Sequence, residues 1–129
     1  MASIVELREL SDEKLEEKLE NAREELFNLR FQHASARLDD ISQIRKVRRE
    51  LAQFETVLHQ RELAVKAALK DPKVAAAIDG KDWLAEAHFV YESSAWQVEF
   101  VDENEDELVT AEVNLNRKKH TGRRARRAN

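Results

Sequence analysis

The 129 residues include no Cys, two Gly and one Pro; 37% are charged and the formal net charge is −4. Disulfides and thiolate metal sites are therefore excluded, and no apolar run approaches the ~20 residues of a membrane span. The composition describes a helix-rich, highly solvated chain with room for one medium domain or two very small ones, not a large compact globule. Met1-Ala2-Ser3-Ile4-Val5-Glu6 lacks the basic-then-apolar order of a secretory signal, so a soluble, cytoplasmic protein is expected.

The first predicted helix starts at Ser11, whose hydroxyl can accept a free backbone N–H, with Asp12 and Glu13 at the positive end of the helix dipole. Leu10 and Leu15 suit a hydrophobic staple, although Lys14 stands where a full capping box would have Glu. Leu15, Leu19, Ala22, Leu26 and Leu29 then recur in steps of four and three, a coiled-coil-like seam. Phe27, Phe31 and Ala34 form a second apolar row, and both rows read as core. The pattern stops between Ser35 and Asp40, and Asp40 followed by Gln43 is a second cap signature. The next helix carries Ile44, Val47, Leu51, Phe54 and Leu58 and runs on to about Lys70. A short link between two seamed helices makes them antiparallel, each burying the other's apolar stripe. Neither arm has the intrinsic stability to stand alone in water.

Asp71-Pro72 restarts a short helix, with Asp71 as cap and Pro72 at its first position, and Gly80 is placed to end it. The period then switches to two. Phe89 and Tyr91, then Trp96, Val98 and Phe100, then Val109, Ala111, Val113 and Leu115 alternate with mainly polar residues. Three strands in a meander follow, with one sheet face packing on the short helix or on Trp83 and Leu84. The predicted fold is mostly α: an antiparallel two-helix hairpin over 1–65, an acidic helix-plus-meander extension over 66–116, and a basic tail over 117–129.

Charge is unevenly divided. Residues 66–116 hold four lysines against twelve acids, a balance of −8, whereas 117–129 hold seven cations and no acid. Salt screens charges beyond roughly 8 Å at physiological strength, so local charge outranks the sum. The second arm opens with four cations in five residues, Arg45-Lys46-Val47-Arg48-Arg49. Arg45, Arg48, Arg49 and Ala52 follow helical steps on a side adjoining the seam, and Arg30 and Arg37 approach the same end from the first arm. A basic run on a helix is most often a solvated face laced with salt bridges, and Glu50 is spaced to pair with Lys46.

The wording of Phe27-Asn28-Leu29-Arg30-Phe31-Gln32, the short link, and Ile44-Arg45-Lys46-Val47-Arg48-Arg49-Glu50-Leu51-Ala52 resembles the large-subunit ribosomal protein twenty-nine family over residues 4 to 63. The resemblance implies a structural role on ribosomal RNA of a bacterial or organellar ribosome, near the nascent-chain exit. It implies ribosomal protein twenty-three as a neighbour, with trigger factor and the signal recognition particle docking nearby. By the same resemblance Arg30, Gln32, Arg37, Arg45, Lys46, Arg48 and Arg49 contact RNA. The tail residues Arg117, Lys118, Lys119, Arg123, Arg124, Arg126 and Arg127 are a second RNA-binding candidate on charge density alone.

His33, His59, His88 and His120 have no metal-ligand spacing, no phosphate loop, nucleophile elbow or partnered Ser-His-Asp arrangement is present, and the carboxylate pairs Glu16-Glu17, Glu24-Glu25 and Asp39-Asp40 fall in solvated helix faces or the hinge. Neither an enzyme nor a cofactor or metal is expected. The competing readings are a free coiled-coil adaptor, dimerising through the two seams, and a non-ribosomal RNA-binding protein.

Overall fold

The structure, a computed structural model, describes residues 2–116; the basic tail lies outside them. A helix that carried no expectation opens the chain. Ser3 and Glu6 close a reciprocal capping box, Glu6 N–H donating to the Ser3 hydroxyl at 3.3 Å and Ser3 N–H to the Glu6 carboxylate at 3.1 Å. This starts α1 (Ile4–Glu9), which buries Leu7 completely. Ser-x-x-Glu was its sequence signal.

Ser11 then caps α2 (Asp12–Ala34), accepting from Lys14 N–H at 3.4 Å, and α3 runs unbroken over Ser42–Leu69. The two are antiparallel, and the expected seam packs: Leu15, Leu19, Ala22 and Leu29 are buried against Val47, Phe54 and Val57, with Leu26, Ile44, Leu51 and Leu58 partly buried around them. Phe27 and Phe31 depart from the expectation. They are 70% and 64% exposed, not core. At about 100° per residue, the Phe row stands roughly a quarter-turn or more away from the Leu row. The single partner helix covers one apolar stripe and leaves the other bare.

Asp71 caps α4 (Pro72–Ile78) by accepting from Lys73 N–H at 3.0 Å, and Gly80, at φ +69°, takes the left-handed conformation that ends it. The sheet is antiparallel in the order β1 (Leu84–Val90), β2 (Ala95–Val101), β3 (Glu107–Val113). Trp96, Val98 and Phe100 of the central strand point to one face in register with Phe89, Ala87 and Ala85 and with Val113, Ala111 and Val109. That face packs on the C-terminal part of α3 as well as on α4, a support the sequence did not suggest. Ala64 and Ala68 of α3, with Val74 and Ile78 of α4, complete the second core. Small alanines on α3 let the sheet approach closely. Trp83 reaches the sheet edge-on, 5.4 Å from the Phe100 ring centre, while Leu84 is 67% exposed at the start of β1.

Besides Leu7, which joins the hairpin core, two cationic side chains tie α1 to the rest. Arg61 of α3 is buried and donates to the carbonyls of Arg8 (2.9 Å) and Leu10 (2.6 Å) and to the Asp12 carboxylate. Arg8 lies 4.1 Å over the Phe89 ring, with Tyr91 and Trp96 at its margins. One cationic residue thus clamps the helices and another holds the sheet to them. Because α3 crosses residues 65 and 66 without a break, it serves both cores. The sheet sits at the C-terminal end of α3, about 20 Å of helix away from Arg49.

Candidate nucleic-acid interface

The link is built from local hydrogen bonds. Helix α2 ends in a Schellman motif: Arg37 N–H donates to Gln32 C=O at 2.9 Å and Ala36 N–H to His33 C=O at 3.1 Å, with Ala36 at φ +57°. On the other side the expected Asp40–Gln43 cap is replaced. The Asp40 carboxylate accepts from both the backbone N–H (3.0 Å) and the hydroxyl (2.6 Å) of Ser42 instead. Helix α3 therefore starts at Ser42 with Ile41, which has no side-chain cap bond, at the N-cap. The Ser42 hydroxyl first, then its amide, holds the Asp40 carboxyl below the ordinary aspartate range, with a smaller contribution from Lys46.

The hairpin register fixes where each candidate side chain stands. Arg23 of α2 bridges to Glu55 of α3 at 3.3 Å, which marks one flank of the helix pair. Moving toward the link by the same seven residues on each antiparallel helix leads to Arg30 and Arg48, within about 20° of the same flank. Two guanidinium groups are thereby brought to one side with no acid between them. Gln32 and Lys46, again equidistant from the link, fall on the opposite flank. Arg45 and Arg49 each lie two residues from buried Val47, so they point outward, away from the seam rather than beside it. Arg37 sits in the link itself. All seven side chains are exposed.

Among the described residues the ion pairs are Arg23 with Glu20 and Glu55, His59 with Glu62, Arg61 with Asp12, and His88 with Glu86. None uses Arg30, Arg37, Arg45, Lys46, Arg48 or Arg49, and Glu50 does not pair with Lys46. Sequence explains why. Residues 26–38 and 41–49 contain no acid, leaving only Asp39 and the occupied Asp40 at this end. A concentration of unpaired, fully hydrated cations costs self-repulsion that a polyanion relieves. The tail candidates Arg117, Lys118, Lys119, Arg123, Arg124, Arg126 and Arg127 lie outside the described residues.

The sequence reading missed two features at this end: the exposure of Phe27 and Phe31, and Ile41, which is 57% exposed beside the link. The available signal was the phase, because Leu26 and Phe27, as neighbours on a helix, cannot both face α3. Among the described residues no group of three or more His, Cys, Asp or Glu is arranged to hold a metal ion, and no helix is long and apolar enough to cross a membrane.

Comparison with known proteins points to one group. Residues 5–61 match the family described as Ribosomal L29 protein. The chain is 47% identical over 77 residues to the large ribosomal subunit protein uL29 of Mycobacterium ulcerans (strain Agy99), covering 60% of this chain and 89% of that protein. It is 51% identical over 61 residues to uL29 of Caldanaerobacter subterraneus subsp. tengcongensis, covering 47% of this chain and 92% of the relative. With uL29 of Mycobacterium tuberculosis (strain H37Rv) the identity is 53% over 60 residues, 46% of this chain and 78% of the other.

Proposed function

The chain belongs to the ribosomal L29 protein family and is a structural protein of the large ribosomal subunit, and from that premise we propose that the cations around its link clamp ribosomal RNA. The observation that carries this reading is the set of six exposed cations without a carboxylate partner among the described residues, held at one end of the hairpin. Arginine suits the task, since its planar fork bridges phosphate oxygens and stacks on bases. Arg45 and Arg49 meet RNA on the outer face, Arg30 and Arg48 on one flank, Lys46 and Gln32 on the other, and Arg37 at the tip. Protein side chains then do no chemistry; they neutralise phosphates and fix the spacing of RNA segments. The cations from Arg117 to Arg127 add a second, salt-dependent contact in this reading.

Family resemblance supports a position near the nascent-chain exit of a bacterial or organellar ribosome, beside ribosomal protein twenty-three and close to where trigger factor and the signal recognition particle dock. The adaptor reading is disfavoured by packing: the two seams it needs for dimerisation are buried against each other within one chain. Replacing Arg45, Arg48 and Arg49 together by Glu tests the proposal. The residues are exposed, so helical circular dichroism is expected to persist, while co-sedimentation with large subunits through a high-salt wash is lost. Normal incorporation of a folded triple variant overturns the reading.

A further inference from the structure

Phe27 and Phe31 stand one helical turn apart on α2, 70% and 64% exposed, and none of the described residues covers them. Their helix has an apolar seam that is fully used by α3, so these rings contribute nothing to the hairpin core. Residues at i and i+4 lie about 5–6 Å apart at Cβ, which sets the two rings in a row along the helix. Arg30 lies between them in sequence and about 60° around the helix from Phe27. It turns toward the flank shared with Arg48. Ile41, exposed and seven residues before Arg48, extends the same flank at the link.

From this juxtaposition we propose that Phe27 and Phe31 are stacking platforms for unpaired bases of an RNA strand whose phosphates are held by Arg30 and Arg48. The proposal rests on the RNA-binding reading above and names the form of RNA it takes at this flank. Every base has a π face, so exposed aromatic rings beside cations bind unpaired nucleotides, whereas paired duplex bases are stacked away from them. Charge decides between RNA and a protein partner. From 26 to 38 and from 41 to 49 the chain offers the flank cations and no carboxylate, leaving it complementary to a polyanion. A protein partner would have to bring carboxylates of its own to match the two guanidinium groups, whereas an RNA strand brings a phosphate at every nucleotide.

The test uses the full-length protein and protein-free large-subunit ribosomal RNA in filter binding over a range of salt concentrations. Phe27→Ala/Phe31→Ala is expected to fold with unchanged helical circular dichroism and to bind at least about tenfold more weakly. Its dependence of log affinity on log salt should stay that of the parent, because no charge is removed. Arg30→Gln/Arg48→Gln should instead flatten that slope by up to about 1.4 units, and Phe27→Tyr/Phe31→Tyr should restore near-parental affinity. If the parent itself fails to bind this RNA, the clamp reading falls and this proposal falls with it. Parental binding with no loss in the double alanine variant overturns the stacking proposal alone. Should that variant bind RNA normally yet fail to enter large subunits, a protein neighbour occupies the face.

Discussion

Removing Arg61 offers a direct test of how the N-terminal turn, α2 and α3 are held together. Its side chain is 11% exposed and makes two kinds of contact: charge-assisted hydrogen bonds to the carbonyls of Arg8 and Leu10, and an ion pair with Asp12, itself 62% exposed. A hydrogen bond to a charged group contributes roughly 1.5–3 kcal/mol. An ion pair whose acid is well solvated contributes at most about 1 kcal/mol. Two carbonyl bonds, discounted for the water that reaches the carbonyls once the side chain is gone and for the unpartnered Arg61 Nε, leave a loss of about 3 kcal/mol for Arg61→Met. Asp12→Asn should cost about 1 kcal/mol or less, part of that from the weakened charge at the start of α2. Urea unfolding followed by circular dichroism would then show Arg61→Met several-fold more damaging than Asp12→Asn. The corresponding fall in Tm is on the order of 10 °C for a chain this size. The deficit of Arg61→Met should also change little between low and high salt, since backbone carbonyls carry no net charge to screen. Equal losses from the two substitutions would refute the reasoning and hand the clamp to the ion pair.

Ala36 holds φ +57° at the Schellman position where a side chain is strained. Ala36→Gly should stabilise the hairpin by about 0.5–1 kcal/mol, the relief exceeding the added entropy of the unfolded chain, read as a higher urea midpoint with unchanged slope. Asp40 titrates below its ordinary range in the folded chain, so the stability from its bonds to Ser42 is complete above the unfolded value and disappears as pH falls through the folded one. The Ser42 amide resonance should therefore show an acid midpoint below that of free aspartate, about 3.9, and Ser42→Ala should move the midpoint upward.

Where sequence and structure agree, the governing forces are local. Ser11 and Asp71 cap their helices because a side-chain oxygen next to free N–H groups acts within a single turn. Gly80 ends α4 through its own backbone freedom. The period-two rows of Phe89, Trp96–Phe100 and Val109–Val113 face one way because alternation is intrinsic to extended chain. Crowding of Arg45, Lys46, Arg48 and Arg49 at one end was equally legible, as was the kinship with ribosomal protein twenty-nine, whereas the expected pairing of Glu50 with Lys46 does not form.

Tertiary packing decided the rest, because a pattern says which residues share a face but not what lies opposite it. Two apolar rows on α2 read alike; only the presence of one partner helix, wide enough for one stripe, leaves Phe27 and Phe31 in solvent. Arg61 reads as one more cation on a charged helix until α1 and the turn after it fold back and present the Arg8 and Leu10 carbonyls to it. Ala64 and Ala68 look like mere helix formers, yet their small size is what admits the sheet. The chain alone specified each element and its ends, whereas the choice of buried face required a second element at a distance in sequence, since burial is a property of pairs of surfaces.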